Sequence, residues 1–63
     1  MSSITELARL LAELYPLHDK QVGKRYRVVR ELAGLTELEE VGGQARYVAS
    51  ASLRDARQWE QAH

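Results

Sequence analysis

Hydrophobic and polar positions along this 63-residue chain follow two different periods. In residues 3 to 15 the apolar side chains Ile4, Leu7, Leu11 and Leu14 recur at helical spacing, and Ala8 and Leu10 widen the stripe. Ser3 followed by Glu6 is a capping box: the serine oxygen accepts one free first-turn amide and the glutamate reaches back to another. Pro16 ends the helix, because the residue before a proline is pushed out of helical geometry. The stripe is either core, packed on one face of a sheet, or an exposed docking face.

From Arg25 the period shortens. Residues 25 to 32, Arg-Tyr-Arg-Val-Val-Arg-Glu-Leu, are rich in aromatic and β-branched types that suit a half-buried strand. Gly34 and the Gly42-Gly43 pair then mark reversals, since glycine accepts positive φ without a Cβ clash. A three-stranded meander over 25 to 32, 35 to 41 and 44 to 50 follows. With Ala33-Gly34 and Gly42-Gly43 as two-residue turns, Val29, Leu38 and Tyr47 line up on one face. The same register sets Arg30 against Glu37, Arg27 against Glu40 and Glu39 against Arg46, opposite charges worth roughly 0.2 to 1 kcal/mol a pair. It also sets Val28 against Glu39, a poor match, and Ala33 is a poor residue for a left-handed turn position. A bulged turn at Gly34 would shift the pairing by one.

The first of these strands has a helical rival, because Val22, Tyr26, Val29 and Ala33 also fall at helical spacing. A helix there followed by a hairpin over 35 to 50 resembles the recognition helix and wing of a winged-helix DNA-binding protein. Gly23 inside that helix, at about 1 kcal/mol relative to alanine, and the short run from 15 to 22 speak for the strand instead.

Residues 16 to 24 read as a polar connector anchored by Leu17 and Val22. His18 beside Asp19 is a surface or capping pair, since sequence neighbours do not by themselves place an acid and a base on one substrate group. Past the meander, Ser52 with Asp55 three places on predicts a short C-terminal helix with Leu53, Ala56 and Trp59 along a narrow apolar edge. Trp59 either closes the core or serves as an interface anchor.

Size sharpens the question of what covers the leucines. A single domain of this length buries only about 60 percent of its unfolded surface, and a core this small rarely supplies more than about 3 to 5 kcal/mol. There is no cysteine to add a disulfide or a thiolate metal site, so self-association is a natural remedy. Nine Lys plus Arg balance nine Asp plus Glu, which excludes bulk electrostatic attraction to nucleic acid or anionic lipid. The charges are nevertheless segregated: Lys20, Lys24, Arg25, Arg27 and Arg30 cluster ahead of Glu31, Glu37, Glu39 and Glu40, either as complementary strands of one hairpin or as a basic recognition surface.

The chemistry of catalysis is missing. Gly42-Gly43 lies between strand-like runs and lacks the lysine and hydroxyl of a nucleotide loop. His18 and His63 are too far apart to form a spaced metal-ligand set, and Ser50 and Ser52 have no candidate base. No enzyme, cofactor or metal is expected. No apolar run approaches the roughly 20 residues that cross a bilayer, and no basic start precedes one as in a secretory signal, so a cytoplasmic chain without membrane contact is expected.

The pattern Val22-Gly23-Lys24-x-Tyr26-x-Val28, then a hairpin, then Gly42-Gly43 and Arg46-Tyr47-Val48-Ala49-x-x-Ser52-Leu53 resembles the small SH3-like barrels of bacterial and phage proteins. In those barrels a glycine opens a strand, two hairpins follow, and a short turn near a Ser-Leu pair leads out of the sheet. The chain departs from them in offering three strands instead of five and a helix at the start. The resemblance implies a module that binds protein or nucleic acid. The expectation is therefore a single α+β domain over 1–63: an N-terminal helix, a three-stranded antiparallel meander and a short C-terminal helix. It would bind a protein partner or itself through Tyr47, Trp59, Leu7, Leu11 and Leu14. The alternative is a DNA-binding regulator using Lys20, Lys24, Arg25, Arg27 and Arg30.

Overall fold

The computed structural model describes residues 3 to 62, the side chain of Ser3 excepted, so the Ser3–Glu6 capping box and His63 lie outside the described part. Helix α1 spans Ser3–Leu14. Five strands follow: β1 Leu17–Asp19, β2 Lys24–Leu32, β3 Leu35–Glu40, β4 Ala45–Ala49 and β5 Trp59–Gln61, with a 3-10 helix over Ser50–Arg54 between the last two. They form one antiparallel sheet in the order β4-β3-β2-β1-β5. The α+β class, the N-terminal helix and the meander are as expected; the strand count and the C-terminal helix are not.

Both corrections have local causes. Strand β1 hides in the polar connector because one of its two inward positions is a carboxylate: Leu17 and Asp19 are both buried, and His18 between them turns outward. At the other end the Ser52 and Asp55 signals make turns instead of a helix. The Ser52 hydroxyl donates backward to the Ala49 carbonyl (2.7 Å). Asp55 then closes a second turn, its carboxylate accepting from the Arg57 amide (2.9 Å) and its carbonyl from the Gln58 and Trp59 amides. Two tight turns in succession leave no room for α-helix and aim Trp59 along β1.

Register is expected in one half of the first hairpin and shifted elsewhere. Ala33 and Gly34 do make a two-residue turn, both with positive φ (54° and 81°), so Arg30 faces Glu37 and Leu32 faces Leu35. The slip occurs further along, where a bulge at Val29 sets Val28 against Leu38, Arg27 against Glu39 and Tyr26 against Glu40. The unfavourable Val28–Glu39 pairing is thereby avoided, and the expected Val29–Leu38 and Arg27–Glu40 pairs do not form.

The second hairpin turns on three residues, Val41 to Gly43, not two. The Gly43 amide donates to the Glu40 carbonyl (2.8 Å) and the Glu40 amide to the Gln44 carbonyl (2.9 Å), with Gly42 and Gly43 both at positive φ. Leu38 consequently faces Arg46, and Glu37 faces Tyr47. A one-residue slip reverses both faces of a strand: Arg46 turns toward the core, and Tyr47, expected beside Leu38, turns to solvent.

The core is Leu17, Tyr26, Leu38 and Trp59, with Val48 and Leu53 packed against it. Tyr26 and Trp59 meet edge to face, ring centroids 6.0 Å apart. Buried Thr36 shares a 2.6 Å hydrogen bond with Ser50, tying β3 to the 3-10 helix. Helix α1 is outside this core.

Candidate protein-interaction surface

Two features stand out once the side chains are in place: an interior charge cluster that locks the sheet and an apolar helix face that is largely exposed among the described residues. The first is built by the register of β4. Arg46 donates from Nη1 to Asp19 Oδ2 (2.8 Å) and to the Tyr26 hydroxyl (3.0 Å). Its guanidinium carbon lies 5.3 Å from the ring centroids of both Tyr26 and Trp59, a double cation–π contact. Gln58 Nε2 donates to the same carboxylate oxygen (3.2 Å), and the Gln21 amide donates to the other (3.0 Å).

Burial on its own would raise the Asp19 carboxyl, which is 0% exposed. The hydrogen bonds from Arg46, Gln58 and the Gln21 and Val22 amides outweigh that and hold it below the ordinary carboxylate range. Arg46 is held above its ordinary value by the bond to Asp19, against the opposing effect of its own burial. The cluster joins β1, β2, β4 and the turn into β5 through one carboxylate. Both oxygens of that carboxylate are hydrogen-bonded and the group meets no solvent, so it braces the sheet. The expected anchor Trp59 belongs to this interior: it is 5% exposed, and its indole N–H finds no acceptor among the described residues. Sequence reading missed Asp19, Arg46 and Gln58 as a group. The usable signal was the Leu17-x-Asp19 alternation together with the extra loop residue ahead of Gly42-Gly43.

The second feature is α1. Ile4 is 81% exposed, Leu7 58%, Leu10 46% and Leu14 61%, and Leu11 is half-buried. The expectation that the stripe is core is corrected. Only Leu11 and Ala12 of the helix are half-buried, and Arg9, Ala12 and Glu13 line a shallow cleft of about 400 Å³ with Pro16 and Ala62. Arg9 and Glu13 approach to 3.9 Å along it. What fixes this orientation is Arg25, whose Nε donates to the Tyr15 carbonyl (2.9 Å) and whose Nη2 reaches the Pro16 carbonyl (3.4 Å) at the end of the helix. The chain after β5 closes the same corner, the Ala62 amide donating to the Pro16 carbonyl (2.8 Å). Leu7, Leu11 and Leu14 thus share one face. Tyr47, 65% exposed, is not on it: it stands on the outer sheet face among Arg30, Leu32, Leu35 and Glu37.

The five basic residues of the DNA-binding alternative are spread through the sheet and its turns, each with a partner inside the chain. Arg25 clamps the helix end, and Lys20 Nζ donates to the Ala56 carbonyl (2.7 Å). Lys24 pairs with Glu40 (3.6 Å), Arg27 with Glu39 and Arg30 with Glu37 (3.2 Å) across the first hairpin. Residues 24 to 32 are extended, so the recognition helix of that alternative is not formed.

His18 and Asp19 point to opposite faces, and His18 instead lies 3.9 Å from Glu60 across β1 and β5. Among the described residues there is no group of three or more His, Cys, Asp or Glu that could hold a metal, and no helix long and apolar enough to cross a membrane. Comparison with protein-family models, with curated proteins and with solved structures finds no match to this chain.

Proposed function

We propose that this chain is a small non-catalytic interaction module in which the five-stranded sheet is a rigid mount and the apolar stripe of α1 is the contact surface. The observation that carries this reading is the exposure of the apolar stripe of α1, whose Ile4, Leu7, Leu10 and Leu14 all face water. A helix of 12 residues is marginal in water by itself and gains most of its stability from packing its apolar face. Among the described residues Ile4, Leu7, Leu10 and Leu14 of that face have little cover, so a protein surface supplies it.

The SH3-like reading stands beside this as a proposal about the mount. Five strands instead of the expected three, and a single turn of 3-10 helix carrying Ser52-Leu53 between β4 and β5, support it. The interior brace around Asp19 and the paired arginines of the hairpin suit a passive scaffold better than a basic nucleic-acid surface.

The test is exposure of the helix methyls in dilute protein, read as line broadening by a neutral paramagnetic co-solute. Ile4, Leu7, Leu10 and Leu14 should broaden like surface methyls while Leu17 and Leu38 stay sharp. Sharp helix methyls at high dilution, with contacts to the protein's own sheet, would remove α1 as a contact surface.

A further inference from the structure

We infer that the occupant of the α1 stripe is a second copy of this chain, its own α1 laid antiparallel across the first about a twofold axis level with Arg9. This rests on the reading of α1 as the contact face and adds the identity and geometry of what covers it. Ile4, Leu7, Leu11 and Leu14 are spaced by three, four and three residues, the a and d positions of a heptad seam. In an antiparallel pair centred on residue 9 those positions meet in matched layers: Ile4 against Leu14 of the other copy, Leu7 against Leu11, and the same again in reverse. Leu10 then meets its own counterpart on one side of the axis. Ala8 meets its counterpart on the other side, a small pair that lets the helices approach.

Charge allows this pairing. Glu6, Arg9 and Glu13 lie on the opposite arc of the helix, and Arg9 with Glu13 lines the cleft against the body, so no like charges face each other across the seam. Shape selects the direction. Packed helices run about 8 to 10 Å apart, whereas the molecule is 24 Å by 19 Å across its shorter dimensions. Each α1 runs directly into its sheet at Leu17. A parallel pair would bring two bodies to the same end and force them apart, while an antiparallel pair carries them to opposite ends of the rod. The stripe is also its own complement, as a twofold contact requires. One helix face is smaller than the roughly 800 Å² per partner of a standard stable complex, so the pair is a weak and concentration-dependent one.

Sedimentation of the full chain from about 1 µM to about 1 mM, a span bracketing weak self-association, should show monomer passing to dimer. Leu7→Glu should weaken the pairing at least about tenfold, with Trp59 fluorescence unchanged because α1 lies outside the core. Direction is read by disulfide trapping, clean in a chain with no cysteine. Ile4→Cys mixed with Leu14→Cys should give a cross-linked heterodimer under mild oxidation, and Ile4→Cys alone should not cross-link. Efficient cross-linking of Ile4→Cys alone would mean a parallel pair and overturn the geometry. A monomer at every concentration whose helix methyls stay open to the co-solute would overturn the second copy as occupant but leave α1 a contact face for another protein. A monomer with those methyls shielded by its own sheet would overturn both.

Discussion

Replacing Arg46 by methionine keeps an unbranched apolar stem against Tyr26 and Trp59 and deletes the guanidinium with its charge, its hydrogen bonds to Asp19 and Tyr26 and its ring contacts, so Arg46→Met measures what the interior brace contributes. Removing one partner of a buried ion pair costs about 3 to 5 kcal/mol, because the other charge is left without compensation. Two observations adjust that figure. The Arg46 side chain is 34% exposed, so water reaches the gap, and Asp19 keeps its bonds from Gln58 and the Gln21 amide; about 2 to 3 kcal/mol remains. Loss of two cation–π contacts adds roughly 0.5 kcal/mol or more. Against a total stability of about 3 to 9 kcal/mol for a chain of this length, the variant should be near the edge of folding. Asp19→Asn should cost less, since the uncompensated arginine can turn to water. The double variant should recover part of the loss, with a coupling of about 1 to 3 kcal/mol. Urea unfolding followed by Trp59, the single tryptophan, measures all three. The sign in pH follows from the lowered Asp19 carboxyl: the stability it confers is present above its ordinary value of 3.8 and is lost as pH falls below that through the lowered folded value. Arg46→Met should lose most of this acid-side slope. A loss under about 1 kcal/mol, or single effects that add to within about 0.5 kcal/mol, would show that Asp19 and Arg46 do not act as a unit.

Ala33 holds a left-handed φ of 54°, so Ala33→Gly should raise stability by about 0.5 to 1 kcal/mol, seen as a higher urea midpoint at unchanged slope. Deleting Gly43 would force a two-residue turn and reverse β4, sending Tyr47 inward in place of Arg46; the expected result is loss of the cooperative unfolding transition. Arg25→Ala removes the clamp on the Tyr15 and Pro16 carbonyls and should cost about 0.5 to 1.5 kcal/mol. Its signature is faster amide exchange in the last turn of α1 with the sheet unaffected. Because Lys20, Lys24, Arg25, Arg27 and Arg30 all have partners inside the chain, no duplex DNA shift is expected even at low salt. Binding whose logarithm falls with the logarithm of salt at a slope near 0.9 per phosphate contact would reinstate the nucleic-acid reading.

Legibility in the sequence followed how local the deciding interaction is. Helix α1 was readable because its stripe and Pro16 are contained in one short run, and the first hairpin because Ala33-Gly34 and the Arg30–Glu37 pair lie within a few residues of each other. Strand β1 was not, since an inward aspartate looks like a polar loop until its arginine arrives from β4, 27 positions away. The last strand was misread for a related reason. Ser52 and Asp55 are the residues that start helices, and they also close tight turns; which they do depends on Trp59 reaching Tyr26. The residues expected to bind a partner divide the same way: Leu7, Leu11 and Leu14 share a helix face by spacing alone, whereas the fates of Tyr47 and Trp59 depend on loops and turns elsewhere.

The Val41–Gly43 loop shows how one residue of chain separates inside from outside. Arg46 and Tyr47 are neighbours on a strand, so one of them must enter the core and the other must leave it. With a two-residue turn the aromatic enters and the charge leaves, which is the choice hydrophobicity alone favours. With three residues the arginine enters, at a desolvation cost met only because Asp19, Tyr26, Gln58 and Trp59 converge on it. Burying the charge releases Tyr47 to the outer face beside Leu32 and Leu35, while the core closes over Leu17, Tyr26, Leu38 and Trp59 without α1. The same loop that builds the brace therefore bears on the helix: a core closed around an ion pair takes in none of the leucines of α1, which is the condition the proposed contact face depends on.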